Sequence, residues 1–252
     1  MVEQASVVAL VTGAGSGIGR ASACALARLG AHVVVADRDR PGGQRTVELV
    51  GQQGGTAEFQ MLDVTDADNV EAVVDGIVCT HGRLDWAHNN AGVFRTAPSF
   101  IEMAGADFDL MMDINLKGVF LCMRAELRVM TAQGHGSIVN TSSAAGMIGT
   151  PRTPGYSASK HGVLGLTRSA AREYAAKQIR VNAVCPGSVN TPMVTANLVN
   201  NPGVLRQIEA MQPGGRLAEP EEIAAAVAYL CSDGASFVSG SALLVAGGAV
   251  NK

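Results

Sequence analysis

Three residues of this 252-residue chain have the types and spacing that proton transfer requires. Tyr156 and Lys160 are four residues apart, and Ser143 lies thirteen residues before the tyrosine. On a helix, residues four apart share one face, so the ammonium would lie beside the phenol. The same spacing also arises by chance on many helices. The elements that surround the pair must therefore decide whether it is catalytic.

The chemistry of the Tyr156/Lys160 pair depends on shelter from water. A free phenol has a pKa of about 10, and lowering it by about three units requires about 4 kcal/mol of differential stabilisation of the phenolate. A cation about 4 Å away supplies about 1 kcal/mol in bulk water but about 4 kcal/mol at a partly buried site. A sheltered pair is expected to act as an acid and base, and an exposed pair is not.

The elements that would position these residues alternate between short apolar runs and longer helical patterns. Strands are predicted at 7–12, 32–36, 57–62, 84–88, 136–141, 179–184 and 242–245. Helices are predicted at 18–29, 44–53, 66–81, 107–133, 156–177 and 220–231. Apolar strands separated by helices favour a parallel sheet covered on both faces. We therefore expect one α/β domain over residues 1–252, with a Rossmann-type doubly wound sheet of about seven strands.

The segment 187–217 is the least regular part of the chain, with three prolines and several glycines. It follows a predicted strand end, and ligands in doubly wound sheets bind outside the carboxyl ends of the strands. The segment is therefore predicted to be a substrate lid, with a plain surface insertion as the alternative.

A glycine-rich turn follows the first predicted strand and opens the first predicted helix. Glycines in such a turn let the backbone approach a diphosphate, which then lies over the N–H groups of the helix N-terminus. The candidate contacts are Gly13, Ser16, Gly17, Ile18 and Gly19. No Gly-Lys-Ser/Thr sequence is present in the turn, which excludes a P-loop nucleotidase.

Asp37 ends the second predicted strand and is the candidate selector of the nucleotide. A carboxylate there accepts hydrogen bonds from ribose hydroxyls and repels a 2′-phosphate. Ser16 occupies the glycine turn in place of a lysine or arginine, whereas Arg38 could hold a 2′-phosphate. The prediction is NAD, with NADP as the less favoured alternative.

Composition excludes several classes of function. The formal net charge is −3 and there is no basic run, so the sequence lacks the positive charge pattern that binds nucleic acid or an anionic membrane. No apolar stretch approaches the ~20 residues that span a bilayer, and the N-terminus does not read as a signal peptide. The five cysteines and five histidines lack metal-ligand spacing, so no metal site is predicted. Scattered thiols favour a cytoplasmic location.

Seven segments together resemble the motifs of the short-chain dehydrogenase/reductase family across nearly the whole chain. They are TGAGSGIG at 12–19, Asp63 with Val64, NNAG at 89–92, Asn115 in MDINLKG, Ser143 in NTSSAAG, Tyr156 with Lys160, and PGSVNT at 186–191. Ser142 is one residue too early for the serine position. One departure is Ala246, where the family commonly has aspartate, which puts local stability or assembly in doubt rather than chemistry.

The resemblance implies an NAD-dependent oxidoreductase that interconverts a secondary alcohol and a ketone. Tyr156 would be the acid/base and Lys160 would lower the phenol pKa and hold the nicotinamide ribose. Ser143 would bind the substrate oxygen, and Asn115 would bend its helix and hold a relay water. The remaining implied contacts are with the nucleotide: Asp63 and Val64 at the adenine, Asn90 and Gly92 near the ribose, and Val189 and Thr191 at the carboxamide.

The resemblance also implies a homotetramer, with interfaces on the 107–133 and 156–177 helices and on the C-terminal elements. Candidate pocket segments are 94–97, 144–155 and 193–198. Phe94, Met147, Ile148, Met193 and Leu198 favour a small or cyclic uncharged alcohol, whereas Arg95 and Arg152 either reach an anionic group or lie at the surface. The alternatives are an NADP-preferring ketone or 3-oxoacyl reductase, a non-catalytic NAD-binding protein, and a nucleotide-sugar epimerase or dehydratase.

Overall fold

A computed structural model describes residues 7–195, 203, 209–210 and 212–249. The candidate pocket residue Leu198 and much of the expected lid lie outside the described residues. Among those that are described, no helix is both long and apolar enough to cross a membrane.

Seven parallel strands form one sheet, which confirms the predicted fold class. The strands are β1 (Val8–Thr12), β2 (His32–Asp37), β3 (Thr56–Met61), β4 (Trp86–Asn89), β5 (Gly136–Thr141), β6 (Ile179–Pro186) and β7 (Ala242–Val245). Their order is β3-β2-β1-β4-β5-β6-β7. The order reverses between β1 and β4, and in such sheets this switch point opens a crevice at the carboxyl ends of the strands.

Helices cover both faces of the sheet. They are α1 (Gly17–Arg28), α2 (Arg40–Gln52), α3 (Ala67–His81), α4 (Gly105–Met111), α5 (Gly118–Gln133), α6 (Pro154–Tyr174), α7 (Pro192–Thr195) and α8 (Pro220–Cys231). The alternation of β1 sends Val8 and Leu10 into the core beneath α3, α5 and α6. Ala9 and Val11 point to the opposite face and join the core beneath α1, α2 and α8. Both faces are apolar, as the uninterrupted strand patterns require.

Local capping chemistry explains several helix boundaries. Asp66 precedes α3 and its side chain accepts hydrogen bonds from the backbone N–H groups of Asp68 and Asn69. Glu219 and Glu222 form a capping box at the start of α8. Gly30 follows α1 with φ of 88°, the left-handed conformation expected after a helix C-terminus.

Two helix predictions were wrong in detail. Helix α2 begins at Arg40 rather than at 44, because Asp39 is its N-cap and Pro41 is tolerated in the first turn. Gly43 remains inside this helix, where any side chain would collide with the Phe59 ring. The predicted helix 107–133 is interrupted by a π-helix at Met112–Lys117, which separates α4 from α5. A π segment widens the turn locally and is common at functional sites.

Candidate active site

A cavity of about 300 Å³ opens at the carboxyl ends of the strands. Residues from the ends of β1 to β6 line it, together with α6 and the segment after β6. All of the candidate catalytic and cofactor-binding residues line this cavity except Gly19 and Asn115. The fold therefore brings together residues that are distant in the sequence.

The glycine turn forms one wall of the cavity at the N-terminus of α1. Gly13 and Gly17 have φ of 63° and 51°, in the left-handed region that side chains disfavour. A Cβ at Gly13 would lie 2.8 Å from Ala91 Cα. Gly19 lies one turn into the helix, where a Cβ would collide with the Gly13 carbonyl. The Ser16 side chain precedes α1 without capping it, so the first-turn N–H groups are available to an anion.

Asp37 lies at the end of β2, beside the glycine turn. Its Oδ2 accepts a hydrogen bond from Gly15 N at 2.7 Å, and its Oδ1 accepts one from Asp39 N at 2.8 Å. Arg38 lines the same part of the cavity and is exposed. Arg20 is directed into the protein, where it donates to Thr46 Oγ1 at 3.0 Å and to the Gly15 carbonyl. Asp37 and Arg38 therefore place opposite charges at the part of the cavity where the adenosine ribose is expected.

The ends of β3 and β4 supply the next part of the wall. Asp63 Oδ1 accepts hydrogen bonds from the Thr65 hydroxyl and backbone N–H, and these bonds lower the pKa of the Asp63 carboxyl. Val64 packs against Gly118, where a Cβ would lie 2.7 Å from Val64 Cγ2. The backbone N–H of Asn90 donates to Thr12 Oγ1 at 3.0 Å, and its side chain donates to Thr12 O at 3.2 Å. Asn90 thus fixes β4 to β1 at the switch point.

Tyr156 and Lys160 lie one turn apart on α6, and Ser143 follows β5. Ser143 Oγ accepts a 3.1 Å hydrogen bond from Ala145 N, and the Ser143 side chain acts on the Tyr156 hydroxyl in the direction that lowers the phenol pKa. Lys160 Nζ lies 5.7 Å from the centre of the Tyr156 ring and donates a 2.8 Å hydrogen bond to Thr141 O. Lys160 is 3% exposed, so the ammonium is sheltered while it lines the cavity. This is the sheltered arrangement that proton transfer requires.

Burial determines the direction of both pKa shifts at this pair. It raises the pKa of Tyr156, and the hydrogen bond with Ser143 acts in the opposite direction. Burial lowers the pKa of Lys160 to about 8, while Cys185 acts in the opposite direction. The pKa of Tyr156 is therefore raised, which is opposite to the net direction expected from the sequence. Desolvation of the phenolate outweighs the other contributions.

Asn115 lies inside the π-helix and ties it to the loop after β4. Its Oδ1 accepts from Val93 N at 2.7 Å and its Nδ2 donates to Val93 O at 2.9 Å. A Cβ at Gly92 would lie 3.2 Å from Asn115 Oδ1 and 3.6 Å from Lys160 Nζ. The Asn115 amide and the Lys160 ammonium therefore both lie close to the bare backbone of Gly92 at the cavity wall.

The candidate substrate residues form two groups. Phe94 and Met193 are apolar residues at the site, whereas the Arg95 and Arg152 side chains contact other protein groups. The Phe94 ring packs edge-on against Tyr156 with centres 4.9 Å apart, and Met193 lines the cavity. Arg95 donates to Phe94 O and faces Asp107 at 3.7 Å. Arg152 donates to Ala97 O at 3.2 Å. Both arginines have protein partners, which favours an uncharged substrate.

Two residues that the sequence analysis did not select also build the site. Thr141 supplies the carbonyl that holds the Lys160 ammonium. Ser142, which the spacing argument set aside, lines the cavity and donates through Oγ to Lys160 O at 2.8 Å. A backbone carbonyl has no signature in residue type, but the run Thr141-Ser142-Ser143 at a strand end could have indicated more than one polar contact.

Ala246, the departure from the family pattern, lies behind the cavity wall. It is 7% exposed, and a Cβ at Gly187 would lie 3.0 Å from Ala246 Cα. Gly187 N donates to Val245 O at 3.0 Å and Gly187 lines the cavity. The small residue at 246 therefore packs directly against the turn after β6.

Comparisons with known proteins agree with this geometry. A family model described as enoyl-(acyl carrier protein) reductase matches residues 13–250. Cyclohexanol dehydrogenase of Acinetobacter sp. (strain SE19) is 42% identical over 249 residues, covering 97% of this chain and 95% of that protein. Cis-4-hydroxycyclohexanecarboxylate dehydrogenase of Sinomonas cyclohexanicum is 45% identical over 241 residues, covering 96% and 95%.

A solved structure also matches along its full length. Actinorhodin polyketide ketoreductase with NADPH superposes with a TM-score of 0.94 at 38% identity, covering 100% of both chains. The family match spans nearly all of the described chain, and the relatives carry dehydrogenase and reductase names. The chain therefore belongs to the short-chain dehydrogenase/reductase family, whose members are NAD(P)-dependent oxidoreductases acting on CH–OH groups.

Proposed function

We propose that the protein is an NAD-dependent oxidoreductase that interconverts a small or cyclic uncharged secondary alcohol and its ketone, with Tyr156 as the acid/base. One observation carries the proposal. Ser143, Tyr156 and Lys160 meet in the same cavity as the glycine turn and Asp37. A proton-transfer group and a dinucleotide cradle in one cavity suit hydride transfer coupled to proton transfer.

The cavity fits a dinucleotide. The turn at 13–19 offers bare backbone and a helix N-terminus for the diphosphate, and a Cβ at Gly13 or Gly17 would press against Ala91 or Thr191 and disturb the turn. Asp37 would hold the adenosine ribose, with Asp63 and Val64 at the adenine and Asn90 and Gly92 nearby. Val189 and Thr191 would hold the carboxamide end. A nicotinamide held by these residues would supply the hydride-transfer chemistry that interconverts the alcohol and the ketone.

The chain's own residues handle the proton. In oxidation, Tyr156 Oη as phenolate takes the alcohol proton, and in reduction the phenol returns it to the ketone oxygen. Ser143 Oγ donates a hydrogen bond to the substrate oxygen, which stabilises negative charge as it develops there. Lys160 holds the ribose hydroxyls and supplies positive charge beside the phenol. Asn115, whose amide holds the backbone of Val93, would help to position a proton path from Lys160 to solvent.

The cofactor preference rests on charge. Asp37 repels a 2′-phosphate, and Arg20 is occupied by Gly15 and Thr46, which favours NAD. The NADP-preferring reductase is the second candidate, supported by exposed Arg38 and by the relative solved with NADPH. Asp37→Asn keeps an acceptor for the turn while removing the charge, so it should shift the NAD/NADP ratio of kcat/KM toward NADP by about tenfold or more. Arg38→Gln is the control and should shift it in the opposite direction. An unchanged ratio in both variants would rule out this pair as the selector.

The substrate side favours an uncharged molecule. Phe94 packs against the Tyr156 ring, Met193 adds apolar surface to the cavity, and Arg95 and Arg152 are bound to other protein groups. The 42% and 45% identical relatives are named for cyclohexanol and for cis-4-hydroxycyclohexanecarboxylate. Both names support a cyclohexane-ring alcohol, and only the first supports an uncharged one. We further propose that part of 187–217 acts as a lid, since Met193 and Val194 of α7 line the cavity.

The proposal also includes a homotetrameric assembly and a cytoplasmic location. An apolar groove between the π-helix and α6 is lined by Leu116, Phe120, Gly162, Gly165 and Leu166, and Phe120 is 46% exposed. Such a surface suits burial against a second copy, as in the proposed homotetramer. All five cysteines are free thiols, which suits the proposed cytoplasmic location.

A panel of cyclic and open-chain secondary alcohols, each tested with NAD⁺ and with NADP⁺, tests the function. We expect NADH to accumulate in equal amount to ketone, with the highest kcat/KM on uncharged ring alcohols. Tight NAD binding without oxidation of any alcohol would favour a non-catalytic protein. Product formation without net NADH would favour an epimerase or dehydratase.

A further inference from the structure

The opposite edge of the sheet holds a second cluster of chemically active side chains. His32 opens β2, Glu58 lies in β3, and His81 is the last residue of α3. One ligand atom from each residue lies within 4.8 Å of the other two. The strand β2 rises about 3.3 Å per residue, so His32 is about 17 Å from Asp37 at the cavity. The cluster is therefore separate from the catalytic site.

The contacts within the cluster leave one nitrogen without a partner. His81 Nε2 and Glu58 Oε1 are 3.2 Å apart, and the two imidazole rings have centres 4.5 Å apart. His32 Nε2 is buried and has no hydrogen-bond partner among the described residues. A buried polar atom without a partner is costly, and such an atom in a native structure calls for an explanation. A metal ion between the three residues would provide that partner.

Register explains why the three side chains meet. His32 pairs with Thr56 and Val34 pairs with Glu58 in the parallel β2–β3 ladder. His32 and Glu58 are therefore diagonal neighbours on one sheet face, which is the face that α3 covers. Helix α3 ends above them, where Gly82 in the left-handed conformation turns the chain away.

We propose that His32, Glu58 and His81 bind a divalent transition-metal ion, with Zn²⁺ as the best-suited ion. Two imidazoles and one carboxylate are a ligand set that Zn²⁺ accepts, whereas Mg²⁺ and Ca²⁺ prefer oxygen ligands alone. Three protein ligands leave a position for water. The ion would link β2, β3 and α3, and it would stabilise the edge strand β3 of the sheet.

The exposure of two of the three side chains supports binding. The side chains of His81 and Glu58 are 18% and 35% exposed, which gives an ion a route from solvent. The ligand atoms need only move closer by about an ångström to reach zinc-ligand spacing.

The test uses the full chain without a histidine tag, after treatment with a chelator. Co²⁺ titration followed by visible absorption should show one saturable site per chain, and Zn²⁺ should displace the Co²⁺. Zn²⁺ should raise the unfolding temperature by several degrees, since it binds the folded state. Glu58→Gln and His81→Gln, at partly exposed positions, should each weaken Zn²⁺ binding by about 100-fold or more.

Two controls separate this site from other zinc ligands. His135→Gln removes an imidazole that faces Asp85 at 2.9 Å without a second imidazole, and it should leave binding unchanged. Cys79 is exposed and lies two residues before His81 in the sequence, but it is not part of the cluster. Cys79→Ser should therefore also leave binding unchanged, and no thiolate band should appear with Co²⁺. Absence of saturable Zn²⁺ binding, or equal binding in the Glu58 and His81 variants, would overturn the proposal.

Discussion

Lys160 and Glu126 are two buried ionisable groups with different surroundings. Lys160 is 3% exposed and Glu126 is 0% exposed. Burial moves both pKa values toward neutrality, to about 8 for Lys160 and about 7 for Glu126. Lys160 lines the cavity beside Tyr156, whereas Glu126 lies on α5 and accepts a 2.9 Å hydrogen bond from Asn89 in the core. Only the group with access to the cavity can exchange protons with a substrate.

The two regions therefore illustrate different consequences of the same desolvation. A shifted pKa near a cavity indicates a functional site, but a structural network produces the same shift. Asn89 also donates to Asn140 Oδ1, and Asn140 donates to Thr167 Oγ1, so Glu126 belongs to a polar network between the sheet and its covering helices. We expect changes at Tyr156 and Lys160 to alter catalysis and a change at Glu126 to alter stability.

The largest expected effect is that of Tyr156→Phe. Removing the hydroxyl removes the group that exchanges the substrate proton, so kcat should fall by about 10³-fold or more. NADH affinity should remain within a few-fold, because the ring stays in place against Phe94. Stopped-flow measurement of hydride transfer and fluorescence titration of NADH provide the two readouts. Tyr229→Phe, at an exposed tyrosine, is the matched control and should retain full activity.

Lys160→Met should have the next largest effect. The change removes the ammonium and leaves Thr141 O without its hydrogen-bond donor. We expect kcat/KM to fall by about 100-fold or more, with weaker NAD binding as well. Steady-state kinetics at varied NAD concentration measure both effects, with exposed Lys177→Met as the control. A variant that keeps wild-type kcat would contradict the role of the ammonium.

Glu126→Gln should change stability with little change in activity. The folded-state pKa of Glu126 is raised from 4.5 to about 7, so the folded chain binds more protons than the unfolded chain between those values. Stability from this group is present at low pH and is lost as pH rises to about 7, by about 3 kcal/mol in total. The variant should therefore gain stability relative to wild type by about that amount between these pH values. Denaturant unfolding of both proteins across pH measures the difference.

Comparing wild type with Glu126→Gln also cancels the contribution of His88 to the pH dependence of stability. Burial lowers the pKa of His88 to about 3, which costs stability as pH falls below its ordinary value. His88 is present in both proteins and cancels in the difference. A difference in unfolding free energy that does not depend on pH would contradict the assignment of Glu126 as a protonated core acid.

Local patterns in the sequence predicted much of the fold and most of the residues that meet in the candidate site. The apolar strands, the glycine turn and the Tyr156/Lys160 spacing are short-range features, so one sequence suffices to find them. The Thr141 carbonyl could not be predicted, because any residue type supplies one. The direction of the Tyr156 pKa shift was predicted wrongly, because it depends on burial by distant segments.

Clusters of side chains that are distant in the sequence also could not be predicted from it. Asn89, Glu126 and Asn140 meet through the pairing of β4 with β5 and the packing of α5. His32, Glu58 and His81 lack metal-ligand spacing along the chain, and the sequence analysis accordingly predicted no metal site. The register of β2 and β3 brings them together.

The pH dependence of kcat/KM in both directions tests the central claim, that the Tyr156 phenol exchanges the substrate proton. Alcohol oxidation needs the phenolate, so its rate should rise with pH, and ketone reduction needs the phenol, so its rate should fall. Because Lys160 titrates nearby, the same profiles are measured for Tyr156→Phe. The account predicts opposite slopes that disappear in the variant. Parallel slopes, or a wild-type profile and rate in Tyr156→Phe, would contradict it.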